Sequence, residues 1–539
     1  MFGIPHVVAG IVAVIGFLVY HQCIRKKNGS LSLPPGPQGL PILGNILDLP
    51  PSGKPEFQHW LKFKDLYGPV SSMTVLGQTF VIIHDKQAAD EIMGKMSLKT
   101  SNRPRSVFAF DLCGFQKFTS GRQYDADFRR QRKFMYQQVG TKTIVAQFHG
   151  VQDVESWRLL RRTVDDPQNL IKHFRTESAA IILKTVYGYS IEQDAVDPLT
   201  KLIETMMVNL SQAVMPAARL VDMIPALKHL PDWFPGTAFK ETARQYNKVN
   251  HDVVNIPYSF VKRQVANGTH RPSFVSGLIE RCNSESKTGK LDYADEEAIK
   301  WAAGVLYGAG AEATVSVMTA FTLAMTLFPE VQQRAQEEID ELIGTSPTRI
   351  PQFEDQERLP YTSAIVKEAL RWFSIVPVTT PHAASDEVIY DGYRIPKGTI
   401  LLPAVWWIHH DPQTYPDPFR FSPERFLKPR NEPDPVEAFG YGRRICPGRY
   451  MADDTLFITI ARLLANFNIS KAVDEQGVVM EPKLEHVPGL VSHPASFPFS
   501  ITVRSGEHEE LIKSIGVNHY WEKSDADLLE SGDGREKRG

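Results

Sequence analysis

The spacing of hydrophobic and polar positions predicts a mainly helical protein with small β-sheets. Long stretches place apolar residues three and four positions apart, which puts them on one face of a helix. Shorter stretches rich in Val, Ile, Thr and Phe are typical of strands, and two of them around Leu76-Gly77-Gln78 predict a hairpin. The predicted helices are Tyr124–Val139, Glu296–Phe328, Pro329–Ile343, Tyr361–Phe373 and Met451–Phe467. The predicted strands are Val70–Val75, Thr79–Ile83, Val388–Tyr390, Ile400–Pro403 and Phe499–Val503.

The N-terminal segment predicts a transmembrane anchor over residues 1–24. Phe2 to Tyr20 carry no charged side chain, and with residues 21–24 the segment reaches the length that crosses a bilayer as a helix. The basic residues 25–27 follow at once, which by the positive-inside rule keeps the rest of the chain in the cytosol. A cleaved secretory signal would need a basic region before the apolar run and a small-residue cleavage site after it, and the sequence has neither.

Three further segments follow the predicted anchor. Residues 25–50 are basic and then rich in proline, and because proline prevents a helix from running on, they predict a stiff linker. Residues 51–506 carry the periodic apolar pattern of a folded body. Residues 507–539 are rich in Glu, Asp, Lys and Gly with few apolar side chains, which predicts a disordered tail.

Composition narrows the classes of function. The chain has 539 residues, 42% of them hydrophobic, and a formal net charge of −2, so it can bury a large core and has no basic field that would attract nucleic acid. Its four cysteines are far apart and form no CxxC pair, which argues against a zinc site or a disulfide framework and fits a reducing compartment. They are Cys23, Cys113, Cys282 and Cys446.

One cysteine lies in a run of ten residues suited to hold a metal-bound flat ligand. Cys446 directly precedes a predicted helix, whose free N–H groups and dipole help a thiolate to stay anionic and to bind a metal. Gly442 and Gly448 allow the backbone to approach a flat ligand closely. Arg444 can neutralise a carboxylate on that ligand, and Phe439 can pack beside the sulfur and keep water away. A lone buried cysteine is more often a small core residue, so only the combination indicates a cofactor site.

These five residues match the haem-binding signature of the cytochrome P-450 family at every fixed position, and the chain resembles that family from the predicted anchor to about Arg504. The resemblance implies haem b with the Cys446 thiolate as the axial ligand of the iron, an arrangement that favours cleavage of the O–O bond of dioxygen. It also implies the single large helical fold of the family over residues 51–506.

Other segments resemble the family in the right order. Glu368 and Arg371 match its ExxR motif and Arg425 matches the third partner, which implies a buried network that supports the core on the haem side. Taken alone, an i,i+3 pair of this kind is a common surface ion pair. The proline-rich segment at Pro34–Asn45 is similar to that of membrane-bound members. The spacing around residues 221–236 is similar to fungal microsomal members, including those of secondary metabolism.

Residues 309–314 resemble the oxygen-activating segment of the family, in which a small residue and Gly are followed by an acid and a Thr. Gly310 and Glu312 match, and the resemblance implies that Gly310 opens space above the iron and that Glu312 relays protons. Ala313 stands at the Thr position, and Thr314 follows about 100° further round the helix. Thr314 either substitutes for the missing hydroxyl or donates back to the Gly310 carbonyl.

The carboxylates of haem need positively charged or hydrogen-bonding partners. Besides Arg444, His382 matches a family position for this role, and Arg132 matches the cation of a helical WxxxR segment. Phe128 replaces the Trp of that segment and lacks its indole N–H donor, so one contact to a haem carboxylate is expected to be missing or replaced. The alternative for Arg132 is a place on a solvated basic helix face.

The resemblance implies a haem-thiolate monooxygenase that uses dioxygen to hydroxylate or oxidise a hydrophobic small molecule. No flavin or nicotinamide fingerprint is visible, so electrons are expected from a separate NADPH-cytochrome P-450 reductase. The segments that line the pocket in the family are apolar and aromatic here, which suits a terpenoid, sterol, polyketide or aromatic substrate. Those segments are 107–115, 202–210, 306–310, 375–380 and 490–491.

The predicted anchor and the resemblance together place the chain in the endoplasmic reticulum membrane. We expect a single-pass protein in contact with membrane lipid, with its catalytic domain facing the cytosol and no nucleic acid partner.

Two other functions are compatible with a haem-thiolate fold. An isomerase or dehydratase that rearranges a peroxide without external electrons is favoured by Ala313 and opposed by Glu312 and the unaltered cysteine run. A non-catalytic membrane protein that binds haem or ligands would bind compounds without turning them over.

Overall fold

The computed structural model describes residues 31–51, 53–193, 195–214, 219–286, 289–489, 491–515 and 522–529. The predicted transmembrane anchor over residues 1–24 lies outside the described residues. Within them one helix, Tyr293–Leu327, is long and apolar enough to cross a membrane, and 67% of its most apolar window is buried against the rest of the protein. That burial is typical of the central helix of a folded core.

Helices dominate the described chain. The α-helices are α1 (Glu56–Tyr67), α2 (Lys86–Ala89), α3 (Ser97–Thr100), α4 (Ala126–Val139), α5 (Lys142–Val145), α6 (His149–Asp165), α7 (Leu170–Tyr187), α8 (Pro198–Ala213), α9 (Leu220–Met223), α10 (Ala238–Asn267), α11 (Phe274–Glu285), α12 (Tyr293–Leu327), α13 (Pro329–Ile343), α14 (Pro360–Trp372), α15 (Val405–His410), α16 (Arg449–Asn466) and α17 (Gly506–Ile515). Short 3₁₀ or π segments connect them at Ile46–Asp48, Asp90–Lys95, Val107–Leu112, Phe115–Lys117, Ala146–Phe148, Pro167–Asn169, Pro225–His229, Phe353–Arg358, Pro423–Phe426, Val436–Phe439, Gly442–Arg444 and Ala526–Leu528.

The strands are short and form four small sheets in the described residues. They are β1 (Val70–Val75), β2 (Gln78–Ile83), β3 (His382–Ala383), β4 (Val388–Tyr390), β5 (Tyr393–Ile395), β6 (Ile400–Pro403), β7 (Phe467–Ser470), β8 (His486–Val487), β9 (His493–Pro494) and β10 (Ser500–Val503). The five predicted helices and five predicted strands are confirmed, with ends that shift by three residues at most. Pro329 and Pro360 occupy the first positions of α13 and α14, where a missing N–H costs nothing.

The chain divides into two compact units. The sheet unit comprises the described residues up to Pro104, with Val376–Ile408 and Gly440–Ile445, and the helical unit comprises Arg105–Ile375, His409–Phe439 and the described residues from Cys446 onward.

The sheet unit is built on a four-stranded sheet of order β1-β2-β6-β3. Strands β2 and β6 are parallel and the other pairs are antiparallel. The hairpin between β1 and β2 turns at Leu76 and Gly77, whose φ angles of 48° and 85° both lie in the left-handed region that two-residue hairpins require. Trp60 and Phe63 of α1 are buried in one apolar cluster with Met73 of β1, so helix and sheet form a core together.

The helical unit is arranged around α12. This helix packs against α4, α7 and α16, while α7 also packs against α6 and α8 packs against α10. Most of α12 is buried, which agrees with its nearly continuous apolar sequence. The largest apolar cluster of the unit gathers side chains of α4, α7, α8, α10, α11 and α12.

The second half of the predicted linker over residues 25–50 lies against the sheet. Residues 34–45 pack directly on β1, where the N–H and hydroxyl of Ser72 donate to the carbonyl oxygens of Pro35 and Pro34 at 2.7 and 2.6 Å. Gly36 is required there, because an added Cβ would lie 1.7 Å from the Ser72 carbonyl oxygen. Proline supplies carbonyl acceptors without an N–H of its own, which lets an extended segment accept hydrogen bonds from a strand.

The segment predicted as a disordered tail, residues 507–539, contains helical structure in its described part. Residues 506–515 form α17, in which Ile512 is fully buried and its carbonyl accepts a hydrogen bond from the indole N–H of Trp157 at 3.1 Å. Asp525 accepts a hydrogen bond from the N–H of Ser190 at 2.8 Å. Few apolar residues suffice here because the segment packs on a preformed helical surface.

Candidate functional site

Cys446 lies where its thiol can become a metal-binding thiolate. It precedes Gly448, the N-terminal cap of α16, and the backbone N–H of Gly448 donates to its sulfur. Burial raises the pKa of the thiol, and the Gly448 N–H and the guanidinium groups of Arg132 and Arg449 lower it. The residue is half-buried, so part of its surface is accessible.

The loop around this cysteine is held by its own backbone. The N–H of Cys446 donates to the carbonyl oxygen of Phe439 at 2.8 Å, which closes the run into a compact turn. Phe439 is half-buried. An added Cβ at Gly448 would meet nothing within 4 Å, so protein contacts alone do not require glycine there.

Within the sheet unit, Gly442 and Arg444 occupy the positions that the signature predicts. Gly442 has a φ of 52°, and an added Cβ would lie 2.4 Å from the Met93 carbonyl oxygen and 2.7 Å from Ser97 Cβ. Only glycine fits this backbone. Arg444 is half-buried, and its Nε donates to the Ser101 carbonyl oxygen at 2.8 Å.

His382 is fixed in the same unit. It is 4% exposed, and its Nδ1 lies 2.9 Å from the Thr100 carbonyl oxygen, so Nδ1 carries the proton. Burial, followed by the charges of Arg103 and Arg444, holds the pKa of His382 well below its ordinary value. An anionic ligand beside these groups would counter that effect.

The structure adds Arg103, which no motif in the sequence marked. Its guanidinium is 7% exposed and one of its terminal nitrogens donates to the carbonyl oxygens of Thr380 and Pro381 at 2.8 Å each. Burial lowers the pKa of Arg103 to about 10. A buried cation close to His382 and Arg444 belongs to the same group of donors.

Arg132 projects from α4 towards the cysteine. Burial lowers the pKa of its guanidinium, and Cys446 acts in the opposite direction, which places the two groups within electrostatic reach of each other. Arg132 is half-buried, whereas its neighbour Lys133 is exposed. Phe128, one turn earlier, is 2% exposed, and its ring centroid lies 5.5 Å from that of Tyr124.

The middle of α12 is more exposed than the two runs on either side of it. The run up to Gly308 and the run from Val315 onward are mostly buried, whereas Ala309 is exposed and residues 310–314 are half-buried. This stretch of a core helix therefore keeps accessible surface, unlike the buried runs on either side of it.

Gly310 serves a contact between helices that the sequence did not predict. An added Cβ would lie 2.8 Å from Ile182 Cδ1 and Cγ1 of α7, and the Gly310 carbonyl accepts a hydrogen bond from the Ser178 hydroxyl at 2.8 Å. Thr314 does not occupy that carbonyl, and within the described residues its hydroxyl makes no hydrogen bond. The back-bond alternative for Thr314 is therefore not observed.

The carboxylate of Glu312 contacts a histidine. Its Oε2 lies 3.4 Å from Nε2 of His493 in β9. The contact with His493 lowers the pKa of Glu312, and the more distant charge of Arg175 acts in the same direction. Glu312 is therefore ionised at neutral pH.

The three residues of the ExxR network meet as the sequence predicted. Arg371 donates to both carboxylate oxygens of Glu368, at 2.7 and 2.8 Å, and Arg425 Nε lies 3.2 Å from the same carboxylate. All three side chains are fully buried. Arg371 also donates to the His409 carbonyl oxygen at 2.7 Å, so its charge is satisfied on several sides.

Comparison with known proteins decides the family. The family model described as cytochrome P-450 matches residues 34–500. The chain belongs to the cytochrome P-450 family. It is 47% identical over 521 residues to the multifunctional cytochrome P-450 monooxygenase af510 of Aspergillus fumigatus, covering 96% of each chain. It is 46% identical over 522 residues to the cytochrome P-450 monooxygenase CLM2 of Gibberella zeae, covering 96% of this chain and 98% of the relative.

A further relative is named for its substrate. The chain is 36% identical over 518 residues to the O-methylsterigmatocystin oxidoreductase of Aspergillus flavus, covering 95% of this chain and 96% of the relative. This cytochrome P-450 is thus a haem-thiolate monooxygenase that oxidises a small molecule with dioxygen, and its family uses haem b, a cysteine thiolate ligand and NADPH-derived electrons delivered by a reductase.

The described residues fit that cofactor. The helical unit presents a thiol at a helix N-terminus with a backbone donor on its sulfur. The sheet unit presents Arg103, His382 and Arg444 as a group of buried or half-buried donors of the kind that haem carboxylates need.

Proposed function

We propose that Cys446 is the thiolate ligand of the haem iron in this monooxygenase. The single observation that carries the assignment is the position of its sulfur at the N-terminus of α16, where the Gly448 N–H donates to it. Burial raises the pKa of Cys446, and that donor and the cations Arg132 and Arg449 offset part of this cost of burying a thiolate. Phe439 and Gly448 complete the loop around the sulfur.

Four donors would hold the haem carboxylates in this proposal. Arg444, His382 and Arg132 correspond to the predicted partners, and Arg103 is added by the structure. Arginine suits the role because its planar guanidinium can donate two hydrogen bonds to one carboxylate. Gly442 allows the chain to turn closely beside Arg444.

Bound haem b supplies the activation of dioxygen by which one oxygen atom enters a C–H bond of the substrate and the other leaves as water, with two electrons and two protons consumed. The chain contributes the surroundings. Ala309 and Ala313 lie one helical turn apart on α12 and leave room beside its open stretch. Glu312, a carboxylate at neutral pH, would take up a proton and pass it on towards the site, and Thr314 would offer a hydroxyl two residues further along α12.

The substrate proposed is a hydrophobic small molecule of the terpenoid, sterol, polyketide or aromatic class. Three predicted pocket segments, 107–115, 202–210 and 306–310, meet in one apolar cluster of the helical unit. Phe110, Leu202 and Leu210 are only partly buried within it, so they offer apolar surface to a ligand.

The cellular setting is proposed from the sequence and the relatives. The chain would be a single-pass protein of the endoplasmic reticulum membrane, held by residues 1–24, with residues 51–506 as the haem-thiolate domain facing the cytosol. Its electrons would come from NADPH-cytochrome P-450 reductase, and its product would belong to fungal secondary metabolism.

An absorption titration of the ferric protein tests the substrate class. We would titrate full-length protein with terpenoids, sterols, polyketides and aromatics and follow the haem band, with Phe110→Ala as a pocket variant and Leu98→Ala, at an exposed position, as the control. We expect an apolar compound to shift the band, with weaker binding in Phe110→Ala alone. A response confined to polar or charged compounds would contradict the proposed class.

A further inference from the structure

A short hairpin is fixed against the open stretch of α12. Strands β8 and β9 pair with His486 opposite Pro494 and Val487 opposite His493. The residue before His493 anchors the hairpin twice: the Ser316 hydroxyl donates to the Ser492 carbonyl at 2.6 Å, and the Ser492 N–H donates to the Ile375 carbonyl at 2.7 Å. The first of these bonds places His493 beside α12.

His493 is thereby brought to the carboxylate of Glu312. Its Nε2 lies 3.4 Å from Oε2 of Glu312, and the two side chains are 30% and 29% exposed. The second charge acting on Glu312 is Arg175 of α7, a residue exposed at the surface.

The other histidine of the hairpin cannot play this part. The ring of His486 stacks on that of Phe373 with centroids 4.1 Å apart, and its Nδ1 lies 3.1 Å from the Ser492 hydroxyl. Burial lowers the pKa of His486 to about 4, so it stays neutral at neutral pH.

We propose that His493 is the proton-transfer partner of Glu312, replacing on the hairpin the proton-handling group that Ala313 removes from α12. The inference rests on the proposed role of Glu312 in proton delivery. A carboxylate that gives up protons repeatedly must receive new ones, and an imidazole in direct contact is suited to supply them because its ring nitrogens can both carry and release a proton. His493 acts through Glu312 and is therefore a positioning and relay residue.

The transfer balances without a further reactant. The Nε2–H bond of the His493 imidazolium breaks as an O–H bond forms on Glu312, which leaves a neutral imidazole and a neutral carboxylic acid. Glu312 then gives its proton towards the site and is a carboxylate again, and the imidazole recovers a proton from water. No electron moves in either step.

A purely structural ion pair is the competing explanation. A half-exposed pair of this kind stabilises a fold little, and it would tie the hairpin to α12 without affecting proton delivery. The two explanations differ in what happens when the contact keeps its hydrogen bond but loses its exchangeable charge, which is the change that His493→Gln makes.

The experiment compares His493→Gln and His493→Phe with Glu312→Gln, the double variant Glu312→Gln/His493→Gln and the hairpin control His486→Gln, all as full-length protein with reductase. The reduced carbonyl spectrum confirms that each variant holds haem. Product formed per NADPH consumed and hydrogen peroxide released measure proton delivery. Infrared titration of the resting protein follows the Glu312 carboxyl band, assigned by its loss in Glu312→Gln.

We expect His493→Gln and His493→Phe to lower product per NADPH by about tenfold or more, since a positioned proton donor contributes about 10²- to 10⁴-fold in rate. The pKa of Glu312 should rise in both variants. The double variant should form as much product per NADPH as Glu312→Gln. His486→Gln should form as much product per NADPH as the parent.

If both His493 variants form as much product per NADPH as the wild type while Glu312→Gln forms less, the role of His493 is overturned and that of Glu312 stays intact. Wild-type coupling in Glu312→Gln as well would overturn the proposed function of Glu312 itself. An unchanged infrared titration in His493→Gln would contradict the contact independently of turnover.

Discussion

The hydroxyl of Ser178 donates a 2.8 Å hydrogen bond to the carbonyl oxygen of Gly310, and so joins α7 to the open centre of α12. The same glycine packs its Cα against Ile182, where a Cβ would be 2.8 Å from two side-chain carbons. The family position that was expected to give room for a cofactor thus also fixes the distance between two helices. Its substitution should affect stability as well as catalysis.

Gly310→Ala should lower the free energy of unfolding by about 1–3 kcal/mol, because the added methyl group overpacks the contact with Ile182. Removing the side chain of Ile182 should relieve that clash. The free energies of Gly310→Ala, Ile182→Ala and the double variant, measured by urea unfolding, should show a favourable coupling. Strict additivity would mean that the two residues do not meet as described.

Arg371→Ala should be the most damaging single change in the ExxR network. It leaves the fully buried carboxylate of Glu368 without its two-point partner, a loss that costs about 3–5 kcal/mol. Haem retention and soluble yield measure the effect. Arg334→Ala breaks the exposed pair with Glu424 and should cost about 0–1 kcal/mol. Equal effects of the two changes would argue against a structural role for the buried network.

Stability should depend on pH through Glu177 of α7. Burial raises its pKa to about 8 in the folded protein, although the Thr459 hydroxyl donates to it at 2.8 Å. The folded state therefore holds a proton that the unfolded state releases above 4.5, so stability is full below that pH and falls as pH rises towards about 8. The expected slope is about 1.4 kcal/mol per pH unit.

Glu177→Gln should abolish this slope because glutamine cannot ionise. Urea unfolding across the window from pH 4.5 to about 8 measures it, with Glu341→Gln on the exposed surface of α13 as the control. The free energy of unfolding of Glu177→Gln should exceed that of the parent by most at the alkaline end of this window. A parent protein that becomes more stable with rising pH over the same range, with the slope unchanged in the variant, would show that Glu177 is ionised when folded.

Arg103→Leu should weaken haem binding, since it removes a buried cation next to His382 and Arg444. Arg103→Lys should bind haem more tightly than Arg103→Leu because it keeps the positive charge. The rate at which haem passes to apomyoglobin measures retention. Arg105→Leu, two residues away and exposed, is the control. A rate of haem loss in Arg103→Leu equal to that of the control would remove Arg103 from the proposed site.

The sequence was informative wherever a local pattern decides the structure. Apolar periodicity located α12 and α16, and the signature located Cys446 at a helix start, because both depend on neighbouring residues. The ExxR partners were found through their resemblance to the family, and their burial followed.

Contacts between distant segments could not be predicted in the same way. Arg103 becomes part of the donor group only because β3 brings His382 to the carbonyl of Thr100. His493 reaches Glu312 only because of a hydrogen bond from Ser316 to its neighbour. The described tail is predicted to be too polar to fold, yet His508 and Ile512 of α17 are buried and the Ile512 carbonyl accepts a hydrogen bond from the indole N–H of Trp157.

The central claim is that Cys446 provides the thiolate ligand, and the reduced carbonyl difference spectrum of purified variants tests it most directly. Cys446→Ala should retain soluble fold but lose the thiolate-type band, whereas the parent and Cys282→Ala, which changes a half-buried cysteine of α11, should both show it. A thiolate-type band that persists in Cys446→Ala, or disappears in Cys282→Ala, would contradict the assignment.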